Sequence, residues 1–522
     1  MTTNEAVSGK SEKVVIFDTT LRDGEQAPGF SMPTEAKLAM AQALAALKVD
    51  VMEAGFAAAS PGDAEAIRRV AEEVEGPTIC SLSRTRDEDI RASEDALAPA
   101  ARRRLHIFLG TSPTHRQAKL KLTTDEVLKE IERSVSSAQG RFDEVEFSAE
   151  DAIRTERAFL KEAMQCAADA GADVLNVPDT VGYTSPEEIY DLFKELTATV
   201  RRREGVIFSA HCHNDLGLAV ANSLAAVRAG ADQVECTING IGERAGNCAL
   251  EEVVMALKTR ADYFDADSNI ETTGLYAASR LLSELTGQAT PRNKAIVGRN
   301  AFAHEAGIHQ HGVLEDRRTY EIMTPTDIGL PSNELVLGKH SGKHALKARA
   351  ASLGFDLGAN HVEQVFAAFK RLADEKREVT DSDLCALITG EHDAGADWEF
   401  VRVEMRSSSE ARMRPFARLT LNHRRRGRIS DIGTGDGPFQ AVFNALCSAT
   451  GVAATLDDLS ISGAHGYIAD FFAEEVMHEF CADPRSFLRG ISVFNVLSAE
   501  LCDRATNRTD AADQLRAVER LG

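Results

Sequence analysis

The chain has 522 residues, 43% of them hydrophobic and 27% charged, which is too long for one hydrophobic core and predicts two or three globular domains. Its formal net charge of -22 disfavours nucleic acid as the main partner, because phosphate binding needs a basic surface. No apolar run approaches the ~18 residues of a transmembrane helix, and the polar stretch 1–12, predicted as a flexible tail, lacks a signal-peptide core.

The nine cysteines are scattered without a CxxC motif or a framework spacing. Such usage predicts reduced thiols in a cytoplasmic protein rather than disulfides or a cysteine zinc site.

The first half of the chain alternates short apolar strands with Ala- and Leu-rich helices. Strands are predicted at Val14–Phe17, Val49–Ala54, Thr78–Leu82, Leu105–Leu109, Glu144–Phe147, Val174–Val177, Val206–Ala210 and Gln233–Cys236. The intervening helices are predicted at Thr34–Leu47, Pro61–Glu73, Thr124–Ala138, Thr155–Ala170, Ser185–Arg202 and Ala219–Ala229. Eight such units favour an α/β fold with a closed (β/α)8 TIM barrel over 13–264. No GxGxxG follows the first strand, which disfavours a dinucleotide-binding fold.

Polar side chains gather at the predicted ends of these strands. They are Asp18, Arg22, Asp23, Glu53, His106, Glu146, Ser148, Asn176, Asp179, Thr180, His211, His213, Glu235 and Asn239. Because the active site of such a barrel lies at the carboxyl ends of its strands, this distribution predicts a polar pocket there.

The segment AHCHND places His211 and His213 two residues apart at the end of a strand, so both point to the same face. Two imidazoles aimed at one point are two-thirds of a facial metal site, and Asp23 in LRDGEQ is the candidate carboxylate. For this motif alone, a pair of surface or hydrogen-bonded histidines remains open.

A Gly-rich loop, Gly240–Asn247, opens a predicted helix over Ala249–Thr259. Backbone amides at a helix start can bind an anion or a thioester oxygen. Taken alone the loop is a tight turn with a cap, but beside the histidines it becomes a candidate ligand-binding loop.

Eight segments together resemble one enzyme family. They are FDTTLRDGEQAPGFSMPTEAK (Phe17–Lys37), VEFSAEDA (Val145–Ala152), NVPDTVGY (Asn176–Tyr183), HCHNDLGLAVANS (His211–Ser223), NGIGERAGNCALEE (Asn239–Glu252), AFAHEAGIHQHGVL (Ala301–Leu314), YEIMTPTDIGL (Tyr320–Leu330) and LGKHSGKHAL (Leu337–Leu346). From about Val14 to about Gly354 the chain resembles the 2-isopropylmalate synthase family, whose relatives are homocitrate and citramalate synthases.

The resemblance implies a Claisen condensation of acetyl-CoA with 2-oxoisovalerate, followed by thioester hydrolysis, as the first committed step of leucine biosynthesis. It implies a divalent metal (Mn, Mg or Zn) held by Asp23, His211, His213 and Asn247. Arg22 would pair with the developing alkoxide or the substrate carboxylate.

The resemblance also implies an acid/base group of Glu146, His309 and Tyr320, and the sequence does not decide which takes the methyl proton. His309 is favoured, because imidazoles ordinarily titrate near neutrality. Thr180, with His106 and Ser148, would hold the 2-oxo acid. The acetyl-CoA loop would be formed by Gly240, Gly242, Glu243, Arg244 and Gly246.

Three alternatives stay open. Citramalate or homocitrate synthase would use the same chemistry on another 2-oxo acid, although only Arg22 and Arg84 are basic at the matched strand ends to take a second carboxylate. A metal-dependent aldolase on a similar HxH barrel, or a catalytically silent relative, are the others. The GERAGN, GIHQHG and YEIMTP segments disfavour the aldolase.

Two further regions follow the barrel. Residues 265–395 are predicted as a mostly helical linker that, by resemblance, reaches the partner's active site, which implies a homodimer with a shared site. Residues 396–522 are predicted as an α+β regulatory-like domain with leucine as a possible effector, diverged at Ile491–Leu497. Strands are predicted there at Glu399–Met405, Ala417–Leu421 and Leu459–Ser462, helices within Gly433–Leu446 and near Val493–Ala505, and a solvated turn at His423–Arg428.

Overall fold

The computed structural model describes residues 12–330, 337, 339–355, 357–375, 379, 381–389, 398–406, 414–435 and 437–451. The chain divides into two compact units, Met1–His304 with Gly312–Leu335, and Glu305–His311 with Val336–Gly522. No helix among the described residues is both long and apolar enough to cross a bilayer.

The first unit contains eight parallel strands that close into a barrel in chain order, which confirms the predicted (β/α)8 fold. The strands are Val15–Asp18, Val51–Glu53, Thr78–Arg84, Arg103–Gly110, Glu144–Glu150, Val174–Asp179, Ile207–Cys212 and Gln233–Cys236. We number them one to eight.

Helices follow the strands and pack their apolar faces on the outside of the barrel. They are Thr34–Ala46, Pro61–Glu73, Asp87–Leu97, Thr124–Ala138, Arg157–Asp169, Pro186–Thr199, Ala219–Arg228 and Leu250–Thr259. Leu275–Thr286 adds a further helix to this unit. Capping boxes at Thr123 and Ser185 fix two of the helix starts, because each side chain accepts a hydrogen bond from the third helical amide.

Four aspartates at the amino-terminal ends of strands tie neighbouring strands together. The carboxylates of Asp50, Asp143 and Asp173 each accept a hydrogen bond at 2.8 Å from an amide in the first two residues of the preceding strand, at Ile16, Arg103 and Val145 respectively. Asp232 does the same for the amide of Phe208 at 3.1 Å. These bonds help set the strand register at the end of the barrel away from the polar side chains.

Asp173→Ala is expected to lower the free energy of unfolding by about 1–3 kcal/mol, because the amide of Val145 loses its acceptor at a strand end. Asp191→Ala, on the exposed face of the helix Pro186–Thr199, is the control and should stay within about 0.5 kcal/mol of the wild type. Chemical denaturation followed by circular dichroism measures both, and equal midpoints for the two variants would show that the hydrogen bond from Val145 to Asp173 contributes nothing to stability.

The second unit has a helical part and an α+β part. The helices Lys343–Ser352, Ala359–Glu375 and Asp381–Thr389 share a core that includes Leu346, Phe369 and Leu384. The helix Gly307–Glu315 spans the boundary between the two units in sequence.

An antiparallel sheet forms the α+β part of the second unit. Its strands, Trp398–Arg406, Phe416–His423 and Gly427–Thr434, pair in chain order, and the helix Pro438–Thr450 packs on them. The predicted turn at His423–Arg428 is confirmed as the exposed connection of the second and third strands. Four predictions lie outside the described residues. They are residues 1–11 of the predicted tail 1–12, the strand Leu459–Ser462, the stretch Ile491–Leu497 and the helix near Val493–Ala505.

Candidate metal centre and active site

Asp23, His211 and His213 meet at the carboxyl rim of the barrel. Asp23 follows strand one, His211 lies in strand seven, and His213 comes directly after that strand. The Nε2 atoms of His211 and His213 lie 3.5 Å and 3.7 Å from the same oxygen of Asp23, and all three residues are buried. Three nitrogen and oxygen donors that converge in this way can hold one divalent cation.

The charges around this cluster leave its donors ready for a cation. Burial opposes ionisation of Asp23, but Arg22 and the two imidazoles outweigh it and hold the pKa of the carboxyl below its usual value. Burial, with the neighbouring His211, lowers the pKa of His213 to about 4, so this ring is neutral at neutral pH. A carboxylate and a neutral imidazole are the ligand forms that metals require.

Glu235 lies behind His211. Its Oε2 is 2.9 Å from the Nδ1 of His211, because strands seven and eight place the two residues side by side in register. Burial disfavours the protonated ring, but the carboxylates of Glu235 and Asp23 raise the pKa of His211 overall. A carboxylate at Nδ1 fixes the ring so that Nε2 faces the cluster, which is the usual support of a metal-binding histidine.

Asn247 joins the same site from the loop after strand eight. It forms an isolated bridge with His213, and its Nδ2 donates to the carbonyl of Ile241 at 3.2 Å. Its Oδ1 is buried and has no hydrogen-bond partner among the described residues. A buried amide oxygen left without a donor beside Asp23, His211 and His213 fits a cation ligand.

The glycine loop that carries Asn247 is folded tightly. Gly246 has φ +94°, and a Cβ there would lie 2.1 Å from the carbonyl oxygen of Gly240, which accepts the amide of Asn247 at 3.0 Å. Arg244 makes a bidentate pair with Asp215 at 2.7 and 2.9 Å and donates to the carbonyl of Thr180 at 2.8 Å. Gly242 is buried and Glu243 is exposed.

A polar chain runs from Arg22 across the inside of the barrel. Arg22 donates to one oxygen of Glu53, and the other oxygen of Glu53 lies 2.8 Å from the Nδ1 of His106. The Nε2 of His106 lies 2.8 Å from the Oγ of Ser148, and the amide nitrogen of Asn176 lies 2.6 Å from the same oxygen. Burial disfavours a charged His106, but Glu53 outweighs it and raises the pKa of the ring to about 9.

Glu146 lies deeper than the sequence indicates. Strand five runs to Glu150 rather than ending at Phe147, so Glu146 is its third residue and not a strand end, and the carboxylate at the rim is Glu150. Arg104 donates to Glu146 at 2.9 Å and Gln233 donates to it at 3.1 Å. Burial raises the pKa of Glu146 to about 7 against the charges of His106 and Arg104.

The other predicted residues lie at different places. The hydroxyl oxygen of Thr180 accepts the amide of Asp151 at 3.0 Å at the rim of the barrel. Tyr320 belongs to the first unit, is 43% exposed, and has its ring 6.2 Å from that of His304. His309 belongs to the second unit.

The sequence motifs predict no role for four residues of this site: Glu53, Glu235, Asn176 and Arg104. Glu53, Asn176 and Glu235 were noticed only as polar strand ends. The alternation of polar side chains along strands four, five and eight would have indicated an inward polar face, but their partners depend on strand register.

Comparisons with known proteins agree with this geometry. Residues 13–282, which contain the whole barrel, match the HMGL-like family. Residues 296–377 match the homocitrate synthase post-HMGL domain-like family, 378–476 the LeuA allosteric (dimerisation) domain and 473–522 the MalT winged helix domain.

Three curated relatives are each named 2-isopropylmalate synthase. The protein from Aquifex aeolicus is 55% identical over 86% of this chain and 87% of its own length. Those from Xanthomonas euvesicatoria and Rhodopirellula baltica are 51% and 50% identical over 88% and 87% of this chain, and over 87% and 86% of their own lengths. Within the HMGL-like class, the chain therefore belongs to the 2-isopropylmalate synthase family.

Proposed function

We propose that the chain is an acyltransferase that condenses acetyl-CoA with 2-oxoisovalerate and hydrolyses the thioester, the first committed step of leucine biosynthesis. The observation that carries the proposal is the cluster of Asp23, His211, His213 and Asn247 at the rim of an HMGL-like barrel. These residues would hold Mg, Mn or Zn, since their oxygen and nitrogen donors suit all three. When bound, the cation supplies a Lewis acid that polarises the ketone of the 2-oxo acid.

Arg22, Ser148 and Thr180 would bind and orient the 2-oxo acid. Arg22 is held by Glu53 and lies 3.2 Å from Asp23, so its charge is fixed next to the metal ligands. A fixed guanidinium stabilises a carboxylate or a developing alkoxide. The hydroxyl groups of Ser148 and Thr180 would donate to the substrate carboxylate.

The reaction needs a base for the methyl group of acetyl-CoA. The base removes a methyl proton, the methyl carbon bonds to the ketone carbon, and the ketone oxygen gains the electron pair and then a proton. Water then attacks the thioester carbonyl, the carbon–sulfur bond breaks, and CoA leaves as its thiol. His309 is the preferred base over Tyr320, and Glu146 is disfavoured because Arg104 and Gln233 already occupy its carboxylate.

Two other substrates would use the same residues. Pyruvate would give citramalate and 2-oxoglutarate would give homocitrate, and the names of the relatives favour 2-oxoisovalerate over both. Arg84, the other basic residue at the matched strand ends, is bound to Asp89 in a bidentate pair. That pairing disfavours 2-oxoglutarate.

The proposal is tested by release of the CoA thiol from acetyl-CoA with 2-oxoisovalerate, pyruvate or 2-oxoglutarate, with Mg or Mn and with or without EDTA. We expect turnover that prefers 2-oxoisovalerate and that EDTA abolishes. Preference for another acid would change the substrate but keep the chemistry. If no thiol is released with any of the three acids, the synthase assignment is contradicted, and the metal-dependent aldolase or the catalytically silent relative is favoured.

The proposal includes an assembly, an effector and a location. A homodimer with a shared active site, and leucine as an effector, are supported by the match of residues 378–476 to an allosteric dimerisation domain. Acetyl-CoA would contact the glycine loop through Gly240, Gly242, Glu243, Arg244 and Gly246. The protein would be located in the cytoplasm. Sedimentation with and without leucine tests the homodimer, and a monomer that keeps full activity would contradict the shared site. A leucine titration of activity tests the effector, and activity that leucine leaves unchanged would contradict it.

A further inference from the structure

Glu251 joins the two ends of the loop that carries the candidate ligand Asn247. One oxygen of its carboxylate accepts the amide of Asn239 at 3.0 Å, at the start of the loop. Glu251 itself lies in the first turn of the helix Leu250–Thr259, just after the loop ends. The residue is only 1% exposed, so this acceptor is shielded from water and the bond closes the loop from inside the protein.

The bond to Asn239 continues through the backbone to Asn247. Gly240, the next residue, accepts the amide of Asn247 at 3.0 Å. The backbone angle φ of Asn239 is +60°, and its side chain is fixed because its Oδ1 accepts the hydroxyl of Ser279 at 2.6 Å. The side chain of Asn247 lies within hydrogen-bonding reach of the carboxylate of Asp23. A shift of Glu251 would therefore be passed on to a candidate metal ligand.

Lys294 holds the carboxylate of Glu251 from outside the barrel. Its Nζ lies 3.0 Å from the other oxygen of Glu251 and also pairs with Glu252, and the lysine side chain is only 16% exposed. Burial raises the pKa of Glu251, and the charge of Lys294 opposes this by favouring the ionised carboxylate. Removing one partner of a buried ion pair leaves the other charge without compensation. The position of Glu251 therefore depends on Lys294.

The backbone of Lys294 is fixed by its own turn. Its amide donates to the carbonyl of Pro291 at 3.0 Å, and its carbonyl accepts the amide of Gly298 at 3.1 Å. The amide of Asn300 donates to the carbonyl of Arg292 at 2.8 Å across the same turn. A Cβ at Gly298 would lie 2.4 Å from the carbonyl oxygen of Lys294, so the turn is closely packed. The lysine can thus position the loop rather than follow it.

We propose that Lys294 is a positioning residue of the metal centre, which acts through the carboxylate of Glu251 to fix the loop that carries Asn247. It acts through these residues and is not itself a metal ligand. Because Lys294 follows the last strand and helix of the barrel, metal binding then depends on a residue outside it. The inference rests on the proposed function, since the metal centre belongs to that function.

The experiment removes the ammonium group and keeps the apolar part of the side chain, as Lys294→Met. We expect the affinity for Mn to fall about 10- to 100-fold, the range for loss of an outer partner of a metal ligand. Calorimetric titration of the metal-depleted protein measures this affinity. Lys258→Met is the matched control, because Lys258 lies at the other end of the same helix as Glu251 and donates to Thr272 at 2.6 Å. The control should bind Mn as the wild type does.

Two double-mutant cycles separate positioning from general damage. In an Asn247→Ala background Lys294→Met should cause no further loss of Mn affinity, because the loop no longer presents a ligand. In a Glu251→Gln background it should also cause no further loss, because no buried charge remains to be compensated. Additive effects in either cycle, or an unchanged Mn affinity in Lys294→Met alone, would overturn the inference.

A second variant covers a failure to fold. If Lys294→Met does not fold, Lys294→Gln replaces it, with a smaller loss of Mn affinity that must likewise vanish in the Asn247→Ala background. Mn binding and turnover of the wild type are measured first, because their absence overturns the proposed function itself. A wild type that binds Mn and turns over, beside a Lys294→Met variant of equal Mn affinity, overturns this inference alone.

Discussion

Replacing Glu235 by glutamine is expected to weaken divalent-metal binding by about 10- to 100-fold, the range measured when the outer partner of a metal-binding histidine is removed. Glu235 lies 2.9 Å from the Nδ1 of His211 and supports the ring whose other nitrogen faces Asp23. Glutamine keeps the shape but loses the charge, so the imidazole becomes a weaker and less firmly oriented ligand.

The same substitution should change the pH dependence of binding. The carboxylates of Glu235 and Asp23 raise the pKa of His211 against the effect of burial, so protons compete with the metal for this ring as the pH falls. Without the charge of Glu235 the pKa of His211 is lower. Metal binding in Glu235→Gln should therefore be weaker at neutral pH but should be lost at a lower pH than in the wild type.

Calorimetric titration of the metal-depleted protein with Mn at several pH values measures both effects. Glu204→Gln, an exposed glutamate just before strand seven, serves as the control and should bind as the wild type does. An affinity in Glu235→Gln equal to that of the control would contradict the supporting role of Glu235.

Substituting Gly246 by alanine is the second change for which a large effect is expected. A left-handed φ of +94° strains any L-residue by about 1–2 kcal/mol, and the new Cβ would lie 2.1 Å from the carbonyl oxygen of Gly240. That carbonyl accepts the amide of Asn247, so relief of the overlap displaces the candidate ligand Asn247. We expect metal affinity and CoA release at low metal concentration to fall at least about 100-fold, because the displaced Asn247 no longer reaches the cation.

Gly205→Ala is the matched control for backbone strain. Gly205 has φ +86°, but no atom lies within 4 Å of the position its Cβ would take. This variant should lose about 1–2 kcal/mol of stability and keep its metal affinity. If both variants bind metal equally well, the close approach of Gly240 and Gly246 does not position Asn247.

The barrel was predictable because each strand is apolar on the side that faces the helices. The helix Asp87–Leu97 was not predicted, since DEDIRASEDAL offers only a few apolar residues, Ile90 and Leu97 among them, to mark a buried face. The end of strand five was placed too early at Phe147, because the polar residues that follow look like a turn. In the structure Ser148 stays in the strand, where it pairs with Phe108 and Asn176 of the two neighbouring strands.

The candidate ligands Asp23, His211, His213 and Asn247 were named from motifs. The structure brings the side chains of Asp23, His211 and His213 together, and Asn247 pairs with His213 through an isolated backbone bridge. Their supporting partners could not be named, because the pairing of His211 with Glu235 or of Ser148 with Asn176 depends on which residues face each other across strands. The depth of Glu146 in the barrel depends on the same register. Its predicted place at the strand end was therefore wrong, and its burial in the barrel interior was not foreseen.

The fate of the methyl carbon of acetyl-CoA tests the proposed condensation most directly. The metal-loaded protein is incubated with 2-oxoisovalerate and acetyl-CoA labelled with ¹³C at the methyl group, and the products are followed by NMR. We expect the label to appear as a methylene carbon bonded to a quaternary carbon, together with one equivalent of CoA thiol. Label found only in acetate, with thiol released but no new carbon–carbon bond, would contradict it.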